Sequence, residues 1–301
     1  MRPLKIILNP YAGRWKAKAN LGLLKETLTA LDIPFDLTVT ERPGHGIAVA
    51  RAAAEIGFET IVAAGGDSTI NEVVNGMAQA AGNNTAAGTL GIIPLGTAND
   101  LAFTLGIPTD LRRACENLRN GQPRAIDLCR VNNRYFANNS AVGLEPSVTL
   151  EAEKITLIKG TPRYLLAALR AIMKNPAWYA RIVWDGGQYE GSVALISVGN
   201  GARTGGFYLT PNAKVDDGKL DFVFAPAMGR LALLQLLPQT FSGKHIHHPA
   251  VTYAQTTKLS IEIDETPLHT DGEIITRRAK KLTYNIFPAA LKVIANSKQD
   301  E

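Results

Sequence analysis

The sequence predicts an α/β domain built on a parallel sheet, followed by an all-β domain that folds as an antiparallel sandwich. Over residues 1 to about 128, short apolar runs alternate with helix-like stretches, the pattern of a sheet covered on both faces. Beyond Asp127, short strand-like runs separated by turn residues replace that alternation. Two glycine-rich segments in the first part, Gly65-Gly66-Asp67-Ser68-Thr69 and Pro94-Leu95-Gly96-Thr97-Ala98-Asn99-Asp100, each follow an apolar run and lead into a helix pattern.

The elements follow in order. Ile6-Ile7-Leu8 reads as a strand ended by Asn9-Pro10, with a helix around Leu21 to Ala30. Phe35 to Thr40 precedes a helix over Ile47 to Ile56, and Ile61 to Ala64 precedes one over Ile70 to Ala80. Leu90 to Ile93 leads to Asn99 to Leu105, and a helix over Asp110 to Asn120 has Asp110 as N-cap and Gly121 as the C′ residue. In the second part, strands are expected at Leu128 to Val131, Tyr135 to Asn138, Ala180 to Trp184, Ser192 to Val198, Leu220 to Phe224, Leu259 to Ile263 and Leu282 to Phe287. Helices interrupt them at Pro162 to Lys174 and Arg230 to Phe241. The boundary falls near 128, giving domains 1–128 and 129–301, with the C-terminal end returning to the first. The polar tail Ser297 to Glu301 reads as frayed.

Composition sets wider bounds. A chain of 301 residues with 46% hydrophobic and 20% charged residues is an ordinary globular protein, long enough for two cores. No apolar run approaches the roughly 20 residues needed to span a bilayer, and the first strand is too short for a signal peptide. A cytoplasmic protein is expected. Its net charge of +5 suits an anionic partner or a solvated surface, and the scattered lysines and arginines give no reason to expect nucleic acid. Cys115 and Cys129 are too few for a disulfide scaffold or a zinc site.

Glycines leaving a strand let the backbone turn tightly and aim its N–H groups at an anion beside a helix N-terminus. A carboxylate in such a turn would repel a bare phosphate, so Asp67 and Asp100 point to a divalent metal between carboxylate and phosphate. That is Mg-nucleotide chemistry. Neither turn has the Walker or the Rossmann spacing, so hydroxyls such as Thr69 and Thr97 and the backbone must do the holding, with Asn71 and Asn99 at the helix starts.

These two segments, in their order, resemble the diacylglycerol kinase catalytic-domain family, in its soluble bacterial lipid-kinase branch. Asn9-Pro10-x-Ala12-Gly13, Thr40-Glu41-x-x-Gly44-His45, Ala125-Ile126-Asp127-Leu128, Gly199-Asn200-Gly201, Asp216-Asp217-Gly218, Asp271-Gly272-Glu273 and Phe287-Pro288-Ala289-Ala290-Leu291 extend the resemblance over nearly the whole chain. It implies an ATP-dependent lipid kinase, with diacylglycerol as leading acceptor, met at the inner face of a membrane. Asn9, Thr40, the turn Gly65, Gly66, Asp67, Ser68, Thr69, Ile70, Asn71 and Glu72, and Gly96, Thr97 and Asn99 would contact the nucleotide. Asp67, Asp100 and Asp127 would form a carboxylate–water–Mg²⁺ network. Asp217, with Lys214 and Lys219, would hold a second, structural divalent cation. Asp271 and Glu273 would supply the general base. The family usually has glycine where this chain has Ser68, whose side chain would crowd a left-handed turn or the phosphates. An NAD kinase-like enzyme and a non-catalytic nucleotide- or lipid-binding protein are the alternatives, and the oligomeric state stays open, a homodimer included.

Other segments have plainer readings. Asp271-Gly272 is also what a β-hairpin turn looks like. Lys244-His245-Ile246-His247-His248 lacks ligand spacing and reads as a polar loop. The stretch Tyr164 to Met173 reads as a packed helix, with a membrane-facing patch as its alternative.

Overall fold

A computed structural model describes residues 2–158, 161–174 and 176–295, so the tail expected to fray lies outside the described residues. The chain forms two compact units: residues up to Leu128 with the stretch from Phe287 onward, and Cys129–Ile286.

The first unit contains β1 (Leu4–Leu8), α1 (Lys16–Ala19), α2 (Leu21–Ala30), β2 (Phe35–Val39), α3 (His45–Glu55), β3 (Thr60–Gly65), α4 (Asp67–Ala81), β4 (Thr89–Pro94), α5 (Asp100–Thr104) and α6 (Leu111–Asn120). β5 (Gln122–Val131) carries the chain out of it. The strands pair in parallel in the order β4-β3-β1-β2. Ile61, Val62, Ala63 and Ala64 are all fully buried, as consecutive residues must be when helices cover both faces of a sheet. Asp110 caps α6 by accepting a hydrogen bond from Arg113 N at 3.0 Å. Gly121 departs from its expected role. Its φ is −68°, not left-handed, and a Cβ there would lie 2.5 Å from Asn117 O and 2.8 Å from Ile294 Cγ2. Close packing, not a C′ turn, requires this glycine.

The second unit contains β6 (Arg134–Phe136), β7 (Asn139–Gly143), α7 (Leu144–Glu153), α8 (Thr161–Met173), β8 (Trp178–Trp184), β9 (Gly187–Gly199), β10 (Leu220–Pro226), α9 (Arg230–Leu236), β11 (Thr252–Thr256), β12 (Lys258–Thr270) and the long β13 (Glu273–Ala295). The antiparallel order is β11-β10-β9-β7-β12-β13, with β8 also pairing with β9 and β12. Along β12, Leu259, Ile261 and Ile263 are buried while Lys258, Ser260, Glu262 and Asp264 are exposed, the period-2 pattern of a half-covered sheet. Phe136, Phe222, Phe224 and Tyr284 fill the core beneath. α9 stops at Leu236, short of the expected Phe241, and continues as a 3₁₀ turn over Leu237–Phe241. Pro238 explains the change, because it donates no N–H and crowds the preceding turn. The end of β13 leaves this unit, and its Lys292 and Val293 pair in parallel with Thr89 and Leu90 of β4.

Candidate active site

The two glycine-rich turns leave adjacent strands side by side. Gly65 is in register with Pro94, and Leu95 N donates to Gly65 O at 2.8 Å. Gly66 and Gly96 then meet backbone to backbone: a Cβ on Gly96 would lie 2.4 Å from Gly66 Cα. No larger residue fits at Gly96 without displacing the neighbouring turn. Asn99, left-handed at φ 51°, closes the second turn by accepting from Gly96 N (2.9 Å). Asp67 joins the two. Its Oδ1 accepts from Asp100 N (2.7 Å) and, more weakly, from Leu101 N (3.4 Å), capping α5. Asn9, at the end of β1, donates from Nδ2 to Thr69 Oγ1 (3.2 Å). The result is a patch of glycine backbone and hydroxyls around the start of α4, where fifteen aligned peptide dipoles place partial positive charge.

Several expected contacts have other occupations. Ile70 and Asn71 are buried on the inner face of α4, and Asn71 receives the side-chain amide of Asn75. Glu72 accepts from Gly44 N (2.7 Å) and Gly46 N (2.8 Å), so its carboxylate fastens the start of α3. Thr40 is buried, with its N–H on Leu8 O. Ser68 stands in the first turn of α4 and is not among the positive-φ residues, so the left-handed strain that a side chain there would cause does not arise. Thr97 is exposed.

Asp100 and Asp127 are both buried, and Asp127 Oδ1 accepts from Ala289 N (2.8 Å). Asp217 lies in an exposed turn with Lys214 and Lys219, its Oδ1 accepting from Lys219 N (3.0 Å). Among the described residues, no three His, Cys, Asp or Glu side chains converge as a metal cage. Close by in sequence, Asp221 is fully buried and accepts from Tyr253 Oη and Gln255 Nε2, and burial raises its carboxyl above the usual range. His245 is buried against Leu209 O, and the same desolvation lowers its pKa.

In the second unit, Asp271 and Gly272 form the two-residue hairpin turn between β12 and β13, at φ 46° and 80°, with Thr270 paired to Glu273. The two carboxylates of this turn differ. Asp271 is buried and accepts from the backbone N–H groups of Ala137 (3.1 Å), Asn138 (3.0 Å) and Asn139 (2.9 Å). Glu273 is partly exposed and paired with Arg134 Nη2 at 2.5 Å. Next to the turn sits a pair that no motif singles out, His269 and Glu145, 3.0 Å apart.

Comparison with known proteins places both parts of the chain in known families. Residues 3–131 match the model of the diacylglycerol kinase catalytic domain, and 139–295 match the YegS C-terminal NAD kinase beta sandwich-like domain. A diacylglycerol kinase of Bacillus subtilis is 31% identical over 277 residues, covering 91% of this chain and 90% of the relative. The chain belongs to the diacylglycerol kinase family. A second relative in the family, from Staphylococcus carnosus, is 29% identical over 272 residues, with 89% of this chain and 88% of the relative covered. A crystal structure of a diacylglycerol kinase from Bacillus anthracis superposes with a TM-score of 0.79 at 26% identity, covering 98% of this chain and 97% of the other. An NAD kinase from Archaeoglobus fulgidus, solved with ATP, shares the fold alone, at a TM-score of 0.52 and 12% identity.

Proposed function

We propose that this diacylglycerol kinase family member moves the γ-phosphoryl group of ATP to a lipid hydroxyl, with diacylglycerol as acceptor and Mg²⁺ as cofactor. The observation that carries this reading is the paired turn at Gly66 and Gly96, where a side chain on Gly96 would collide with Gly66 and the start of α4 offers its positive end to phosphate. Phosphoryl transfer asks a protein for alignment and charge neutralisation more than for covalent help. The glycine backbone lets the phosphates approach, the exposed Thr97 offers a hydroxyl donor, and Asn9 holds the buried Thr69. Asp67 and Asp100, hard oxygen donors beside these turns, would hold Mg²⁺, with Asp127 as a further carboxylate of the network. When bound, that ion would neutralise charge on the phosphates.

Of the two carboxylates in the hairpin, Glu273 is the better candidate base. Asp271 is engaged by backbone amides and holds the turn, whereas Glu273 is accessible and oriented by Arg134. A lipid hydroxyl loses its proton as the bond to phosphorus forms, and a carboxylate within reach accepts it. A lipid acceptor also requires peripheral contact with a membrane surface. Among the described residues, no helix is long and apolar enough to cross one. Leu157, Ile158, Leu169 and Met173, exposed around α8, are apolar side chains that this unit could offer to such a surface. Asp217 with the carbonyls of Lys214 and Lys219 is a candidate for a structural divalent cation.

Separate Glu273→Gln and Asp271→Asn variants test the assignment. Glu273→Gln should lower kcat by about 10²–10⁴-fold with Mg-ATP affinity unchanged. Asp271→Asn should lower thermal stability as well as rate, because an amide NH₂ would face backbone donors. Parental turnover in Glu273→Gln would contradict the role given to it.

A further inference from the structure

We infer that His269, held by Glu145, is a positioning residue for phosphoryl transfer, acting through the peptide between Asp271 and Glu273; this rests on the reading of Glu273 as the base. One hydrogen bond in this turn has a fixed direction. Gly272 N can only donate, and its acceptor is His269 Nδ1, at 3.3 Å. Nδ1 therefore carries no proton, and the single proton of the neutral ring sits on Nε2, which faces Glu145 Oε1 at 3.0 Å. Glu145 thereby selects the tautomer that Gly272 needs.

The pair is well enclosed. His269 is 1% exposed, and Glu145 Oε1 also accepts from Thr204 Oγ1 at 3.2 Å. Glu145 comes from the first turn of α7 and His269 from β12, two elements that meet at this bond. Its reach ends at a backbone held in the left-handed region on both sides, at Asp271 and Gly272. Asp271 fixes one flank of this turn through three amides, and His269 fixes its central peptide. Glu273 is the next residue along. A shift of the central peptide moves its carboxylate, and a displacement near 1 Å in a reacting group costs on the order of 100-fold in rate.

A buried His–Glu pair serving only the core would make the same contacts, so the test separates the two ends of the ring. Asparagine at 269 reaches as far as Nδ1 and offers an oxygen to Gly272 N–H, whereas glutamine reaches Glu145 and leaves Gly272 without its partner. Steady-state kinetics with Mg-ATP and diacylglycerol vesicles, alongside ATP binding and thermal melts, would be measured for His269→Ala, His269→Asn, His269→Gln, Glu273→Gln and the double variant His269→Ala/Glu273→Gln. The expected result is a fall in kcat of roughly 10- to 100-fold for His269→Ala and His269→Gln, with KM for ATP and ATP affinity unchanged and asparagine restoring most of the rate. The double variant should be no slower than Glu273→Gln alone, because both changes act on one step. Asparagine and glutamine fill most of the ring's volume and keep the comparison open if the alanine variant does not fold. Equal rates for asparagine and glutamine, or additive losses in the double variant, would overturn the inference while leaving Glu273 as base. Full activity of Glu273→Gln would instead remove the base, and the inference with it.

Discussion

At the scale of single residues, the site is built from small groups whose positions admit little substitution. Gly96 lies against Gly66, Asn99 closes its own turn, and Asp67 caps the helix that follows. Ser68 is the exception, a side chain where the sequence resemblance leads one to expect glycine. The residue sits in the first turn of α4 rather than in a left-handed turn, and serine at such a position carries little penalty. Ser68→Gly should therefore leave ATP affinity and turnover within about twofold of the parent, with a small loss of stability from added backbone freedom. Isothermal titration with Mg-ATP checks this, and a severalfold gain in affinity would show that the hydroxymethyl group obstructs the phosphates after all. The two cysteines stand apart from this chemistry. Both are buried, and desolvation pushes the Cys115 thiol up to about 11, so it stays protonated and inert.

At the scale of elements, α7 and α8 form a helical pair joined by charge as well as by Ala152, Ile155 and Ala167. Glu151 of α7 is mostly buried and bonds Lys154 at 2.8 Å and Lys174, just past α8, at 2.5 Å. Those ammonium groups hold its carboxyl at about 2 against an ordinary 4.5. A depressed folded-state pKa stabilises the fold above the unfolded value, and that contribution is lost as pH falls toward the folded one. Glu151→Gln should thus lower the melting temperature near pH 6 by more than it does near pH 3, where the parent has begun to lose the same contribution. Melting curves at the two pH values check it; a gap that stays constant would mean the ion pairs add nothing to stability. The sequence shows why such helices are hard to find. α8 was legible from its apolar spacing, whereas α7 begins Leu144-Glu145-Pro146 directly after a strand and has no capping side chain to announce it. Most strands of both units were legible from their apolar runs or alternation. β7 and β11 were not, because Asn139-Ser140 and Thr252-Tyr253 are polar in sequence and take their place only through pairing with neighbours.

For the whole molecule, the glycine turns were readable because close backbone approach leaves a composition that chance seldom produces. What each carboxylate touches was not. Glu72 fastens α3 and Asp271 fastens its hairpin through amides that lie 26 to 28 and 132 to 134 positions away, and no local pattern encodes such partners. His269 and Glu145 are invisible for the same reason, being 124 positions apart. Under the proposed function the first unit binds nucleotide at its paired turns, and the second supplies the base and receives the acceptor. Transfer of labelled γ-phosphate from ATP tests it most directly, with Mg²⁺ present and diacylglycerol supplied in sealed vesicles, beside a parallel reaction offered NAD. The predicted result is labelled phosphatidic acid on the vesicles, abolished by chelation of Mg²⁺, with NAD unlabelled. Label on NAD, or none on lipid while ATP still binds, would contradict it.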